Sequence, residues 1–279
     1  MAELLWQVAD RLVKALMPKF SIVTVSYNAE KTIEDTIHSV QMQEGVELEH
    51  ILIDGGSRDG TMAIVDRYQN KFAAIISERD KGIYDAMNKG AALAKGEFIG
   101  FLNADDYFAS SNSLALLASA LEKSDAAWGN VLQVDDEGVP KRLISGEWFK
   151  PSRMTLGLMP PHPSFYVRTS RVRAVGGFDH SYKIAGDFDL VRRLFRISGF
   201  TSCYVSELIT IMRVGGVSTD GLTATRTSSA EILRSLTTNG EKIKPFCLNF
   251  RYLLRVVELI RGRLLSLSGQ RFKPNADAE

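Results

Sequence analysis

Cysteine is scarce in this 279-residue chain: Cys203 and Cys247 stand far apart and form no CxxC pair. That excludes a disulfide framework and a cysteine zinc site, and it fits reduced thiols in a cytosolic protein. An excess of one charge is also lacking. Lys and Arg number 34 and Asp and Glu 33, a net +1, so nucleic acid is not an expected partner. No run of about 18 apolar residues occurs, which argues against a transmembrane helix. Asp10 and Arg11 interrupt the apolar N-terminal stretch and no small-residue cleavage pattern follows, so a signal peptide is not expected. Neither GxxxxGK before Ser or Thr, nor GxGxxG after the first apolar run, is present. Their absence speaks against P-loop and dinucleotide-binding proteins.

What is present is the balance of a globular domain, 45% hydrophobic and 24% charged. The length suits one large domain with a short appendage. Residues 20–26, 50–54, 73–77 and 97–103 are short apolar runs of the kind that form buried strands. Helical spacing follows each of them, over 32–43, up to Tyr68, over 83–95 and over 114–122. The alternation predicts an α/β fold with a mostly parallel sheet covered on both faces. A ligand would then lie at the carboxyl ends of the strands. The second half is less regular, with strands expected over 128–134, 142–145 and 200–214 and helices over 187–197, 223–238 and 246–267. The division expected is an N-terminal helix over 1–18, a main domain over 19–220, a helical extension over 221–268 and a disordered tail over 269–279.

Asn103-Ala-Asp-Asp106 ends the fourth apolar run. Adjacent carboxylates repel each other without a cation. A hard ion such as Mg2+ or Mn2+ takes oxygen ligands, commonly one or two carboxylates together with substrate phosphates. The pair therefore suits a nucleotide diphosphate; capping of the next helix is the alternative. Asp54-Gly-Gly-Ser-Arg-Asp-Gly-Thr61 ends the second run. Its glycines allow close approach of a ligand, and Asp54 can accept hydrogen bonds from a base or ribose. Asp59 and Thr61 read more simply as helix caps.

The order of these pieces resembles the family 2 glycosyltransferases, inverting enzymes of the GT-A fold. The segments that carry the resemblance are Val23–Glu30, Ile53–Thr61, Asp80–Gly90, Gly96–Asp106, Gly176-Gly-Phe-Asp179 and Ala185-Gly-Asp-Phe-Asp-Leu190. The resemblance implies a nucleotide-diphosphate sugar as donor. It places Ser26, Tyr27, Asn28 and Glu30 at the nucleobase, Asp54 at the base or ribose, and Asp80, Lys81 and Asn88 on the adjoining wall. It implies Asp105 as the main ligand of Mg2+ or Mn2+ with Asp106 beside it. Asn103 replaces the first aspartate of the commonest motif and brings no charge. Asp187 matches the general base, where many relatives carry Glu in place of Gly186; capping its own helix is the lesser alternative, and one residue can do both. Asp189 reads as a solvated or supporting group. His162, on the stiff Met159-Pro-Pro-His-Pro163 loop, reads as a donor or acceptor contact or as a structural residue. Gly215-Gly-Val-Ser218 is a mobile loop over the diphosphate or a turn. The QxxRW signature of processive synthases is missing, so single transfer is implied. The competing readings are a sugar-1-phosphate nucleotidyltransferase and a non-catalytic nucleotide-sugar-binding subunit. The first lacks its glycine-rich basic loop, and the intact aspartates oppose the second.

Apolar residues from Phe246 to Leu265 follow helical periodicity, with Arg251, Arg255 and Glu258 on another face. A basic amphipathic helix suits an anionic membrane surface. The resemblance adds a lipid-linked saccharide acceptor at the inner face of the cytoplasmic membrane. Packing of the apolar face on the catalytic domain, or on a second copy in a homodimer, is the other reading.

Overall fold

A computed structural model describes residues 19–215, 221–238 and 245–274. The N-terminal helix expected over 1–18 and the loop residues 216–218 lie outside them. Strands β1 (Lys19–Ser26), β2 (Glu47–Asp54), β3 (Ala74–Ser77) and β4 (Phe98–Phe101) are parallel, in the order β3-β2-β1-β4. The connecting helices are α1 (Ile33–Gln41), α2 (Thr61–Arg67) and α3 (Ile83–Leu93). β1 is buried along nearly its whole length because both of its faces are covered. Phe20 and Ile22 point to one core with α4 (Ser113–Leu121), and Val23 and Val25 to another with α3. Each such side chain contributes about 1.5–3 kcal/mol on burial.

Beyond β4 the sheet continues with mixed directions. β8 (Tyr166–Arg168) runs antiparallel to both β4 and β6 (Ala126–Val134). β6 lies parallel to β9 (Ser202–Arg213), β7 (Pro140–Ile144) folds back on β6, and β5 (Tyr107–Phe108) pairs with β9. The C-terminal half adds α5 (Thr169–Ala174), α6 (Gly186–Phe195), α7 (Gly221–Thr238) and α8 (Phe250–Leu267). α6 and α7 close one face of the sheet through Phe188, Leu194, Ile232 and Leu236.

Two expectations change at the C-terminus. Glu258, expected away from the packing face, is buried against β7, while the apolar stripe of α8 faces outward. Residues 269–274, expected to be disordered, run along the domain. The Phe272 N–H donates to the Gly138 carbonyl (2.9 Å), and the Phe272 carbonyl accepts from the Tyr107 hydroxyl (2.8 Å).

Candidate active site

Parallel strands end on one edge, and the register puts Ser26, Asp54 and Ser77 in one row there. Asp54 is fully buried, and its carboxylate is already filled. Oδ1 accepts from the Ser26 hydroxyl (3.0 Å) and the Ser57 hydroxyl (2.5 Å). Oδ2 accepts from the Gly56 and Ser57 amides (3.0 and 2.9 Å) and the Ser77 hydroxyl (2.7 Å). Burial alone would raise its pKa, but these hydrogen bonds outweigh it and hold the carboxyl below its ordinary range. Gly56 turns the chain at φ +80°, which brings its amide onto the carboxylate. Asp54 therefore shapes the loop, and its oxygens are taken before any nucleotide arrives.

That loop is stitched to the one after β1. Asn28, at φ +50°, donates its amide to the Ser57 hydroxyl (2.8 Å) and accepts from the Arg58 amide (2.9 Å). Glu30 accepts from the Gly60 amide (2.7 Å). Thr61, expected as a cap, instead accepts from the Ala29 amide and donates to Asp59. Tyr27 remains 64% exposed. It shares a corner with Gly55 and Asp80, since a Cβ on Gly55 would stand 2.6 Å from Asp80 Oδ2 and 3.4 Å from the Tyr27 ring. Lys81 is exposed beside them. Asn88 sits apart from this corner. Its amide group clasps the Phe178 backbone at 2.8 Å in both directions, so it fixes the 176–180 turn.

Asn103, Ala104, Asp105 and Asp106 leave β4 and turn into β5. Asp106 is 1% exposed, and neither of its carboxylate oxygens has a hydrogen-bond partner; Asn103 Oδ1 is likewise buried and unpaired. Burial raises the pKa of Asp105, and burial together with the neighbouring Asp105 charge raises that of Asp106. Unpaired buried carboxylate oxygens carry a large desolvation cost, which a bound cation would offset. Among the described residues no three acidic, His or Cys side chains converge into a complete metal cage. The donor set fits a hard divalent ion that completes its shell from a diphosphate. Arg213, at the end of β9, closes this corner by donating to the Asp105 carbonyl (3.2 Å) and to Asp35, with its guanidinium over the Tyr107 ring. Sequence reasoning passed over Arg213; a lone cation ending a strand-like run was the signal.

Phe101, two residues before Asn103, connects this corner to the next. The His162 ring lies nearly parallel to it, with centroids 6.1 Å apart. His162 Nε2 is buried without a partner. Burial lowers its pKa, opposed by the charge of Asp187. Asp187 stands in the first turn of α6, where Ala185 holds the cap position and no side chain caps the helix. Burial raises its pKa and the facing His162 lowers it. Asp189, expected as solvated or supporting, is buried and bound by Arg193 (2.7 Å), Ser235 and Tyr182.

Two further residues frame Asp187. The Tyr84 hydroxyl donates to the Ile184 carbonyl (2.6 Å), and its ring covers Gly186, where a Cβ would stand 2.7 Å away. A glutamate at 186 cannot fit beside this ring. Glu231 of α7 accepts the amides of Lys183, Ile184 and Ala185 at 2.8–2.9 Å, pinning the turn that presents Asp187. Nothing in the sequence marked Glu231, because it lies about 45 residues from the turn it holds.

A family model, Glycosyl transferase family 2, matches residues 21–181, more than half of the chain. An uncharacterized glycosyltransferase of Mycobacterium tuberculosis is 32% identical over 189 residues, covering 63% of this chain and 68% of the relative. TuaG of Bacillus subtilis, named for teichuronic acid biosynthesis, is 35% identical over 112 residues, 39% of this chain and 44% of its own. Among solved structures, S. aureus TarS 1-349 with UDP-GlcNAc superimposes with a TM-score of 0.62 at 22% identity, over 85% of this chain and 72% of TarS 1-349. Of another TarS chain the protein spans 40%. The mannosyltransferase PcManGT of Pyrobaculum calidifontis, with GDP-Man and Mn2+, gives 0.60 at 18% identity, over 95% of this chain and 81% of its own. The α/β fold of these neighbours is thus this chain's fold, GT-A. With the family match spanning the strand ends that build the site, the chain belongs to glycosyl transferase family 2.

Proposed function

We propose that this glycosyltransferase moves one sugar from a nucleotide-diphosphate sugar to a hydroxyl of a saccharide acceptor, inverting the anomeric centre. The observation that carries the proposal is the placement of Asp187 in the first turn of α6, on the turn that Glu231 pins and within electrostatic reach of His162, whose ring stacks on Phe101 two residues before Asn103. Asp187 takes the proton of the acceptor hydroxyl while that oxygen bonds to the anomeric carbon. The bond from that carbon to the diphosphate oxygen breaks, and one displacement inverts the centre. His162, neutral at pH 7, lines the floor beside the reacting hydroxyl.

The donor lies along the other strand ends. Tyr27 is the exposed ring for the nucleobase, and Asp80 and Lys81 flank it; Ser26, Asn28, Glu30 and Asp54 build the loop beneath. Neighbours solved with UDP, UDP-GlcNAc or GDP-Man support a nucleotide-sugar donor. Asp105, with Asp106 and Asn103 beside it, would hold Mg2+ or Mn2+, whose charge stabilises the departing diphosphate. A neighbour containing Mn2+ supports that role. TuaG's name supports a place in surface polysaccharide assembly; a lipid-linked saccharide at the cytoplasmic face is the acceptor we propose.

The test is a panel of nucleotide sugars, beginning with UDP-GlcNAc and GDP-Man, assayed for hydrolysis or transfer in Mn2+. Asp187→Asn should lower turnover about 10²–10⁴-fold and leave donor binding intact. Full turnover by the variant removes Asp187 from the chemistry.

A further inference from the structure

Helix α8 is fastened to the domain by its polar side. Glu258, 6% exposed, accepts from Nε and Nη2 of Arg142 on β7. One turn on, Gly262 lies so close to β7 that a Cβ there would meet the Lys141–Arg142 backbone at 2.5 Å. The opposite side carries Phe250, Leu253, Val257, Ile260, Leu264 and Leu267, at alternating steps of three and four along the whole helix. Leu253 is 65% exposed, Leu264 61% and Leu267 77%. Phe246, one turn earlier, extends the same stripe. A globular helix turns such a stripe inward; among the described residues nothing covers this one. A continuous exposed apolar strip of this kind marks an interaction surface.

Charge selects the partner. At about 100° per residue, Arg263 borders one edge of the stripe and Arg261 the other. Arg261 sits with its guanidinium over the Trp148 ring, and Arg255 and Arg263 are exposed. Between Phe246 and Lys273 the only acid is Glu258, which is buried and paired. The outward surface of α8 is therefore apolar and cationic. A second copy of this chain suits it poorly, because helices pairing through such a seam take opposite charges along its edges and both edges here are arginine. No helix of the described residues is long and apolar enough to cross a membrane. We propose that α8 docks the protein flat on an anionic bilayer, with the stripe in the headgroup–acyl boundary and the edge residues Arg261 and Arg263 toward lipid phosphates. Leu248, just before α8, shares the core of Met154 and Phe165, so the docking helix is joined firmly to the domain. This inference does not depend on the identity of the sugar or on Asp187.

Co-sedimentation of the full chain with vesicles tests it. Vesicles of phosphatidylglycerol and phosphatidylcholine in equal parts should bind the protein; phosphatidylcholine alone should bind it far less. The triple variant Leu253→Glu, Ile260→Glu, Leu264→Glu should lose binding. Nucleotide-sugar hydrolysis should be unchanged in it, since all three side chains face away from the domain. Arg263→Gln, which leaves the apolar stripe whole, should weaken binding about fivefold. Failure of the wild-type chain to sediment with the anionic vesicles would overturn the proposal, as would undiminished binding by both variants. Sedimentation velocity supplies the remaining contrary result: a wild-type dimer, made monomeric by the triple variant, with no vesicle binding, assigns the stripe to a second copy.

Discussion

Asp187 and His162 come from different elements, and burial draws their proton affinities toward each other. It raises the carboxyl and lowers the imidazole. A general base must be ionised, so kcat/KM should rise with pH through the Asp187 pKa. Because that pKa is raised, the acid limb should lie above the ordinary carboxylate value of about 4; a pH–rate profile checks this. Stability follows the opposite sense. A carboxyl whose folded pKa exceeds its unfolded one contributes stability that is fully present below the unfolded pKa and lost as pH rises through the folded pKa. Asp187→Asn should therefore raise the thermal midpoint near pH 7, with the gain absent near pH 4, while lowering turnover about 10²–10⁴-fold. At the neighbouring position, Gly186→Glu should drive the Tyr84 ring from its place and destabilise the fold by about 1–3 kcal/mol, read by urea unfolding. Adding Tyr84→Ala should recover part of that loss.

At the scale of elements, the turn before α6 is shaped by a side chain from α7. Glu231→Gln removes a negative charge that raises the Asp187 pKa, so the acid limb of the pH profile should move to lower pH. Glu231→Ala also frees three amides and should lower kcat about 10²-fold or less, with little change in donor affinity by calorimetry. Most elements could be read from the chain because their burial imposes a period. β1 and the second half of β2 are rich in buried apolar and β-branched residues, β4 is apolar throughout, and α1 repeats Ile33, Ile37 and Val40 at helical spacing. β5 and β8, two and three residues long, carry no period at all; they exist because β9 and β6 offer open edges. The four strand ends were also legible, and polar residues do stand there. What spacing could not reveal is which of them are already occupied. Asp54 and Asn88 are consumed by internal hydrogen bonds, whereas Asp106, read only as an adjacent candidate, keeps two bare oxygens. The direction of α8 was hidden for a related reason: its apolar period is clear, but the side that meets the domain is set by one ion pair and one glycine.

Taken as a whole, the molecule sets two candidate corners on either side of Phe101: the unpaired carboxylate of Asp106 beside Asn103, and Asp187 within electrostatic reach of His162. The first corner should answer to metal. Asp105→Ala should abolish transfer, excess EDTA should do the same to the wild type, and Mn2+ with a nucleoside diphosphate should raise the thermal midpoint more than either alone. Undiminished activity in EDTA would remove the cation from the mechanism. The inversion proposed at the second corner is read directly by proton NMR of nucleotide-sugar hydrolysis. With an α-linked donor such as UDP-GlcNAc or GDP-Man and water as acceptor, the wild type should release the β anomer first, which mutarotates afterwards. Asp187→Asn, still binding donor, should release almost none. Initial release of the α anomer, or an unchanged rate in the variant, would contradict inversion with Asp187 as the base.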